Sequence, residues 1–192
     1  MNNEYDVIII GAGAAGMMSA IEAGKRGRKV LLVDHYKKIG EKIRISGGGR
    51  CNFTNINTNP SKFLSQNPKF VRSALSQYTQ NDFINLINKY DIKFHEKKLG
   101  QLFCDHSAQQ IVEMLLKECE LANVTILKEF VIKEIDKENN QYNVSTETDK
   151  YSSQSLIVAT GGLSVPKIGA TSFGYEIAKK FDHDIIETLP AL

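Results

Sequence analysis

Residues 5–34 read YDVIIIGAGAAGMMSAIEAGKRGRKVLLVD, and this stretch decides the fold. The mostly apolar run 5–10 predicts a buried strand, which is followed by a glycine turn and by a span compatible with a helix. Gly27 is placed to end that helix, and Val30 begins a second buried run that closes on Asp34. A strand, a glycine turn, a helix and a second strand in this order predict an α/β fold with a Rossmann-like, doubly wound parallel sheet.

Three glycines of the turn have separate physical tasks. Gly11 permits the tight turn, Gly13 lets the backbone approach a pyrophosphate, and Gly16 lets the helix pack against the strand. The pyrophosphate would sit at the helix N-terminus, where unpaired N–H groups and the helix dipole favour an anion. The residues predicted to hold it are Gly11, Gly13, Ala14, Ala15 and Gly16.

Asp34 stands where a dinucleotide-binding fold carries the acid that binds a ribose. It follows Gly16 by 18 residues, close to the spacing of about 20 expected for that acid. Its carboxylate would accept hydrogen bonds from the ribose hydroxyls and would repel a 2′-phosphate. The adjacent His35 is included among the predicted cofactor contacts. The expected ligand is a dinucleotide without a 2′-phosphate, and FAD and NAD both remain open.

The composition is that of a globular protein. The chain has 192 residues, of which 42% are hydrophobic and 24% charged, and its formal net charge is +2. This balance gives no basic footprint for nucleic acid, so we expect no nucleic-acid partner. The mostly apolar residues 7–24 contain glycines and Glu22, which suit a buried strand and helix better than a signal peptide or a membrane span. We therefore expect a cytoplasmic protein with no membrane partner.

The cysteines and histidines form no pattern typical of a metal or disulfide site. Cys51, Cys104 and Cys119 are widely separated, which fits neither a disulfide framework nor a CxxC motif. The four histidines show no HxxxH or HExxH spacing, and the chain has no GxSxG motif for a nucleophilic serine. We expect no metal site, and the sequence assigns no catalytic residue.

A second glycine-rich segment follows Asp34, where residues 39–55 read IGEKIRISGGGRCNFTN. Three consecutive glycines give a backbone that can lie in contact with a flat ligand, and Lys42 and Arg50 add positive charge for a phosphate or a reduced flavin. The alternative is a flexible surface loop with solvated charges. The position after Asp34, at the carboxyl end of a parallel strand, favours ligand binding. Cys51 would either touch the ligand or simply pack beneath it.

A third motif lies near the end of the chain, where residues 156–162 read LIVATGG. An apolar strand that ends in Thr-Gly-Gly brings the Thr160 hydroxyl and bare backbone to the carboxyl edge of the sheet. A nucleotide bound by the first motif would lie at this edge. The alternative is an ordinary strand followed by a glycine turn.

The chain resembles the bacterial FAD-dependent flavoproteins known as NAD(P)/FAD-dependent oxidoreductases, which include aminoacetone-oxidase-like and bile-acid-reductase-like members. The most specific signature of that family is similar to residues 40–55, and the likeness continues through 156–162 and 166–175. Two segments depart from the family pattern. This chain has Ser-Phe at 172–173 where a common version has Gly-Asp, and QLFC at 101–104 where members tend to have Arg-x-Phe-Pro.

The resemblance implies FAD as the cofactor and the exchange of a hydride, or of two electrons, between a small-molecule substrate and the flavin. NAD(P)H is the candidate reductant. The resemblance also implies that the backbone of Val131 lies against the adenine, while a valine merely buried in a strand is the alternative. The flavin would lie between the Ser46–Asn52 loop and the Thr160–Gly162 turn. The further cofactor contacts expected are Lys42, Ser46, Gly48, Gly49, Arg50, Cys51, Asn52, Ala159, Thr160, Gly161 and Gly162.

One FAD-binding domain is expected over residues 1–192, with a helical and hairpin insertion at 56–122 and a small antiparallel β layer at 124–146. The elements predicted within these parts are helices at 70–78 and 82–90, a hairpin of 93–96 with 101–104, and strands at 124–127, 130–135 and 142–146. Ser107 is the predicted N-cap of a further helix, whose core-facing stripe is Ile111, Val112, Leu115, Leu116 and Cys119.

Members of the resembled family are roughly twice as long and carry a substrate domain that is absent from this chain. The leading hypothesis is an FAD-dependent oxidoreductase, with a complementary C-terminal chain as a candidate partner. One alternative is a non-catalytic nucleotide-binding fragment, either truncated or split. The other is an NAD-binding module, against which the glycine-rich segment after Asp34 argues.

Overall fold

The computed structural model describes residues 3–164 and 171–188. It divides the chain into two compact units, the first of Met1–Glu41 with Leu115–Leu192 and the second of Lys42–Met114. Residues 165–170 lie outside the described residues, including the first part (166–170) of the family motif expected at 166–175, and so does the chain from residue 189 onward.

The helices and strands follow in chain order. They are β1 (Glu4–Ile10), α1 (Ala14–Lys25), β2 (Val30–Val33), α2 (Glu41–Ile45), β3 (Asn52–Asn55), α3 (Arg72–Gln77), α4 (Gln80–Lys89), β4 (Phe94–Glu96), β5 (Gln101–Cys104), α5 (Gln109–Leu121), β6 (Thr125–Leu127), β7 (Glu134–Glu138), β8 (Gln141–Ser145), β9 (Lys150–Val158) and α6 (Phe173–Lys180). Short 3-10 turns lie at Ser46–Gly49 and Pro60–Lys62.

The first unit is built on a six-stranded sheet with the order β6-β2-β1-β9-β8-β7. β1 pairs in parallel with β2 and with β9, and β2 pairs in parallel with β6. β9, β8 and β7 form an antiparallel meander on the other side of β1. With α1 connecting β1 to β2, the predicted Rossmann-like α/β fold is confirmed.

Residues 124–146 form the predicted antiparallel layer only in part. β6 joins the parallel part of the main sheet, where Leu31 of β2 lies opposite Thr125. A helix precedes β6 in the chain, and such a crossover is what parallel pairing requires. β7 and β8 are antiparallel, as predicted, but they extend the same sheet through β9.

The bounds of the strands in this region also differ from the predicted ones. The strand predicted from Phe130 begins at Glu134, because the Phe130 N–H donates instead to the carbonyl of Asp34 (2.9 Å). The turn that joins β7 to β8 consists of Asn139 and Asn140, which have φ of 48° and 64°. Two consecutive residues with positive φ give the tight hairpin turn whose twist matches that of the paired strands.

Apolar side chains from several elements meet in the core of the first unit. Ile8, Ile10, Leu31, Val33, Phe130, Ile135, Val144 and Ile177 form one buried cluster. α1 packs on β1 and β2 and buries Met17, Ala20 and Ile21. A Cβ on Gly24 of α1 would stand 2.3 Å from the carbonyl oxygen of Ala122, so this close approach requires glycine.

The second unit contains a small antiparallel sheet with the order β3-β5-β4. The predicted hairpin of β4 and β5 is confirmed, and its turn uses the positive φ of Leu99 and Gly100. α4 begins two residues before its predicted start, because Thr79 and Asp82 form a capping box. The Ser107 Oγ accepts the Gln109 N–H (3.1 Å), as expected of the cap before α5.

Candidate dinucleotide site

Gly11 and Gly16 are required by the protein's own packing. Gly11 has φ of 103°, and a Cβ there would stand 2.5 Å from the carbonyl oxygen of Ala159. A Cβ on Gly16 would stand 1.8 Å from the carbonyl oxygen of Gly11. The two glycines let the turn, α1 and the end of β9 come together, which agrees with the tasks that the motif assigns to them.

The packing and backbone angles of the protein do not require glycine at position 13. Its φ of −81° and ψ of −170° are extended values that any residue adopts. An added Cβ would meet no described protein atom within 4 Å. The glycine therefore keeps open a space beside the backbone, and this is the space that a closely approaching pyrophosphate needs.

The N-terminus of α1 is suited to an anion. No side-chain hydrogen bond caps it, and its first turn, which lies in the described part of the chain, carries no acidic residue. Ala14 and Ala15 are exposed, while Gly16 is buried against the turn. The N–H groups at this end and the helix dipole favour a phosphate placed over Gly13. These residues fit the diphosphate of the expected cofactor.

Asp34 is fixed beside the glycine turn by two backbone donors. Its Oδ2 accepts the Ala12 N–H (2.7 Å), and its Oδ1 accepts the Tyr36 N–H (2.8 Å). Each carboxylate oxygen has two lone pairs and so retains capacity for a ribose hydroxyl. The exposed His35 places Nδ1 3.6 Å from Asp34 Oδ1. Sequence reasoning predicted a ribose-binding role for Asp34, which stays a prediction, but it did not predict the two backbone donors, which no side-chain pattern reveals.

The segment after β6 runs beside Asp34. The Asp34 N–H donates to Leu127 O (3.0 Å), and the Glu129 N–H donates to Tyr36 O (3.4 Å). Val131 follows in this segment and is 58% exposed, so it is not merely a buried strand residue. Its predicted backbone contact with adenine stays a prediction.

The end of β9 adjoins the glycine turn. The Ala159 N–H donates to the carbonyl of Ile10 (2.8 Å), which brings Ala159 next to Gly11. A Cβ on Gly174 would stand 2.4 Å from Thr160 Oγ1, so the Thr160 hydroxyl lies against the start of α6. Gly161 has φ of 78° and is exposed, as bare backbone at a ligand-facing turn would be.

The start of α6 supports this turn in a way that the sequence prediction did not include. The hydroxyl of Tyr175 would stand 3.3 Å from a Cβ on Gly162. Phe173 occupies the position where the resembled family often has aspartate, and its ring packs against the buried cluster of the first unit. Gly174 and Tyr175 agree with the family pattern. This agreement was the signal in the sequence from which the supporting role of α6 could have been predicted.

The Ser46–Asn52 loop belongs to the second unit. Gly47, Gly48 and Gly49 have φ of 58°, 67° and 86°. Backbone hydrogen bonds tie the loop to its own unit, from Cys104 N–H to Arg50 O (2.9 Å) and from Ala108 N–H to Gly49 O (2.7 Å). A Cβ on Gly48 would meet no described atom within 4 Å. The loop is thus held in shape and presents open backbone, unlike the flexible loop considered as an alternative.

Cys51 is a buried thiol with a left-handed backbone, at φ of 50°. Burial raises the pKa of the Cys51 thiol, and a hydrogen bond with Ser46 lowers it only in part. The thiol is therefore protonated at neutral pH. Ser46 Oγ donates to Ile43 O (2.8 Å), while Lys42, Arg50 and Asn52 are exposed.

The structure brings part of the predicted site together. Gly11–Gly16, Asp34, Ala159 and Thr160 meet within the first unit, at the carboxyl ends of β1, β2 and β9. Lys42 and Ser46–Asn52 lie in the second unit, so their contact with a flavin stays a prediction. Among residues 3–164 and 171–188, no group of three or more His, Cys, Asp or Glu residues is arranged to hold a metal ion. No helix in those ranges is long and apolar enough to cross a membrane.

Residues 5–189 match the family model described as "HI0933-like protein Rossmann domain". The chain belongs to this family. Its membership confirms the predicted FAD cofactor and the resemblance to FAD-dependent oxidoreductases at the family level.

Two relatives are named "Ribosomal RNA dihydrouridine synthase". The one from Escherichia coli K12 is 51% identical over 188 residues, 98% of this chain and 47% of the relative. The one from Haemophilus influenzae Rd is 48% identical over 190 residues, 97% of this chain and 47% of the relative. A third, the 3-dehydro-bile acid delta(4,6)-reductase of Clostridium scindens, is 25% identical, with 96% of this chain and 46% of the relative covered. The chain thus spans about half the length of these relatives, and none of the three is named for aminoacetone.

Solved structures show the same fold. The 3-ketosteroid-delta4-(5alpha)-dehydrogenase of Rhodococcus jostii RHA1 aligns with a TM-score of 0.59 at 12% identity, covering 83% of this chain and 46% of that one. The halogenase PltM, solved with phloroglucinol and FAD, aligns with a TM-score of 0.52 at 17% identity, covering 93% of this chain and 36% of that one. At these identities the likeness concerns the fold alone.

Proposed function

We propose that this chain is the FAD-binding part of an oxidoreductase that reduces uridine in ribosomal RNA to dihydrouridine. The observation that carries the proposal is the identity of 51% and 48%, over nearly the whole chain, with two proteins named for that reaction. The open pyrophosphate space at Gly13 and the oriented carboxylate of Asp34 support cofactor binding in this chain.

The proposed cofactor site follows from those two features. The diphosphate of FAD would rest on the N–H groups of Ala14 to Gly16, with the adenosine ribose on Asp34 and the adenine near Val131. For the flavin we propose contacts with Ala159–Gly162 and with the Ser46–Asn52 loop. Lys42 and Arg50 would offset negative charge on the phosphates or the reduced flavin.

The reaction class requires few protein groups. Dihydrouridine is uridine whose C5=C6 double bond has gained a hydride on one carbon and a proton on the other. FAD, when reduced, supplies the hydride, and a reduced nicotinamide nucleotide is the proposed external source of the two electrons. The residues named above bind and orient the cofactor, and no described residue is assigned as the proton donor.

An RNA substrate replaces the sequence-based expectation of no nucleic-acid partner. That expectation rested on a net charge of +2, which describes the whole chain rather than any one surface. The two relatives named for ribosomal RNA bear against it. A substrate in the ribosome also agrees with the expected cytoplasmic location, which is part of this proposal.

The test uses the whole protein, loaded with FAD and kept anaerobic. It is mixed with NADPH and ribosomal RNA that lacks dihydrouridine, and the RNA is then digested to nucleosides for mass spectrometry. Formation of dihydrouridine that depends on both protein and FAD supports the proposal. Retained FAD that is reduced and reoxidised by another acceptor, with no dihydrouridine formed, refutes the RNA substrate.

The fragment hypothesis is tested in the same assay with the 192-residue chain. FAD that persists through desalting, together with no turnover, would identify a cofactor-binding part that needs the remaining half of the protein. Turnover by this chain alone would rule out a non-catalytic fragment.

A further inference from the structure

Charge is distributed unevenly along the chain. Residues 42–81 contain six of its 24 Lys and Arg residues and none of its 22 Asp and Glu residues. The rest of the chain therefore carries more acidic than basic residues. All 40 residues of this segment lie within the second unit.

Three cations of this segment stand on exposed surface. Lys62, Lys69 and Arg72 are exposed, and no acidic group in the described part of the chain lies within ion-pair distance of them. Phe70 is 78% exposed and Phe63 is 43% exposed. Exposed apolar side chains that are rimmed by polar residues are typical of interaction sites.

Two of these residues, Phe63 and Arg72, also line a cleft. Phe63, Leu64, Pro68 and Arg72 line a cavity of about 370 Å³. Short turns shape its rim, with the Phe70 N–H donating to Asn67 O (3.1 Å) and the Arg72 N–H donating to Lys69 O (3.1 Å). The cleft has the size of a small-ligand pocket, and one of the three cations, Arg72, lines it.

We propose that Lys62, Phe63, Lys69, Phe70 and Arg72, here called the basic aromatic patch, bind unpaired nucleotides of RNA. The inference rests on the proposed function, for which it identifies the surface that holds the RNA substrate. Phosphates would lie on the cations, and bases would stack on the two phenylalanine rings, which is how proteins hold single-stranded RNA.

Charge decides between RNA and a protein partner. The centre of a protein interface is depleted in lysine, whereas two lysines and an arginine lie within two residues of the exposed rings in the chain. A segment of 40 residues without a carboxylate would also offer no complement to basic side chains of a partner. Polyanionic RNA satisfies both the charge and the aromatic surface.

The first test compares two triple variants of the FAD-loaded whole protein, K62A/K69A/R72A and the control K133A/K179A/K180A. Both lose three exposed cations, but the control positions lie in the first unit. The probe is a fluorescent single-stranded oligouridine, followed by anisotropy at several salt concentrations. Three lost phosphate contacts lower the salt slope by about 2 and weaken binding about 100-fold near 0.1 M salt. The control changes affinity less than about twofold. Equal affinity of the two triple variants overturns the proposal.

The second test replaces both rings, in F63A/F70A. Loss of stacking weakens oligouridine binding about tenfold per ring and leaves the salt slope unchanged. Wild-type RNA affinity together with a lowered melting temperature would show that the rings pack against another part of the protein, and would overturn the proposal. Unchanged affinity and unchanged melting temperature would overturn it as well.

Dihydrouridine formation and flavin absorbance are measured on the same samples. Oligouridine binding that depends on the patch, with no dihydrouridine formed from ribosomal RNA, refutes the proposed function but keeps the RNA surface. Dihydrouridine formation by K62A/K69A/R72A at the wild-type rate and affinity keeps the function and refutes the surface. Wild-type protein that holds FAD but binds no RNA refutes both.

Discussion

Replacing Gly13 with valine separates the needs of the ligand from those of the fold. Because a Cβ at Gly13 meets no described atom within 4 Å and the backbone is extended, a side chain there begins in open space and needs no change of the backbone. The remaining cost is that of a poorer N-cap, about 1 kcal/mol or less. The same side chain occupies the space through which a pyrophosphate reaches the backbone.

The expected loss of affinity follows from the phosphate contacts. A hydrogen bond to a charged group contributes about 1.5–3 kcal/mol, so losing one weakens FAD binding about 10- to 150-fold. At an FAD concentration of 100 times the wild-type Kd, the cofactor stabilises the native protein by about 2.7 kcal/mol. If the Kd rises 100-fold, the same concentration adds only about 0.4 kcal/mol.

The assay is thermal unfolding of Gly13→Val with and without added FAD, together with a fluorescence titration of the flavin. Gly16→Ala provides the contrast, because its Cβ would stand 1.8 Å from the carbonyl oxygen of Gly11 and must displace backbone. We expect Gly16→Ala to lower the melting temperature of the cofactor-free protein, and Gly13→Val to leave it nearly unchanged. A folded Gly13→Val protein that binds FAD like the wild type would refute the assignment of the pyrophosphate to this turn.

Three further predictions test the packing and the site. Asp34→Asn puts an amide N–H₂ group against a backbone donor. We therefore expect the FAD affinity, measured by fluorescence titration, to fall at least tenfold. Wild-type affinity would contradict the ribose assignment. Gly24→Ala brings a Cβ against Ala122, which lowers the free energy of unfolding by about 1–3 kcal/mol and so lowers the urea midpoint. An unchanged midpoint would contradict this packing. Burial raises the pKa of Cys104 and of Cys119 to about 11 from the usual 9.0, so stability is full below pH 9.0 and falls as pH rises toward 11. Urea unfolding across that range checks the last prediction, and a flat profile would oppose it.

The sequence was most informative where local pattern and tertiary role coincide. The run from residue 5 to residue 34 predicted β1, α1 and β2, because an apolar strand, a glycine turn and a helix each leave a local signature. The ribose-binding role of Asp34 was predicted from its spacing after Gly16 alone. The Ala12 N–H that fixes the Asp34 carboxylate was not predictable, since every residue in that motif carries the same backbone donor.

Errors in strand placement arose where the chain has little local pattern. Residues 125–127 are too few to reveal parallel or antiparallel pairing, and the partner strand β2 decides the outcome. The Phe130 N–H donates to the carbonyl of Asp34, so the strand expected at 130–135 begins only at Glu134. In both cases a tertiary contact overrode a plausible run of β-forming residues.

Net charge is a weak basis for predicting nucleic-acid partners, for a physical reason. Screening at about 0.1 M salt limits the reach of an exposed charge to roughly 10 Å, so a phosphate backbone responds to the cations around it and not to a sum over the whole chain. A formal charge of +2 gave no sign that residues 42–81 carry six cations and no carboxylate. The basic aromatic patch would therefore hold RNA through local charge even where the rest of the surface repels it. Its binding should weaken with salt by a slope set by Lys62, Lys69 and Arg72, whatever the charge of the remaining chain.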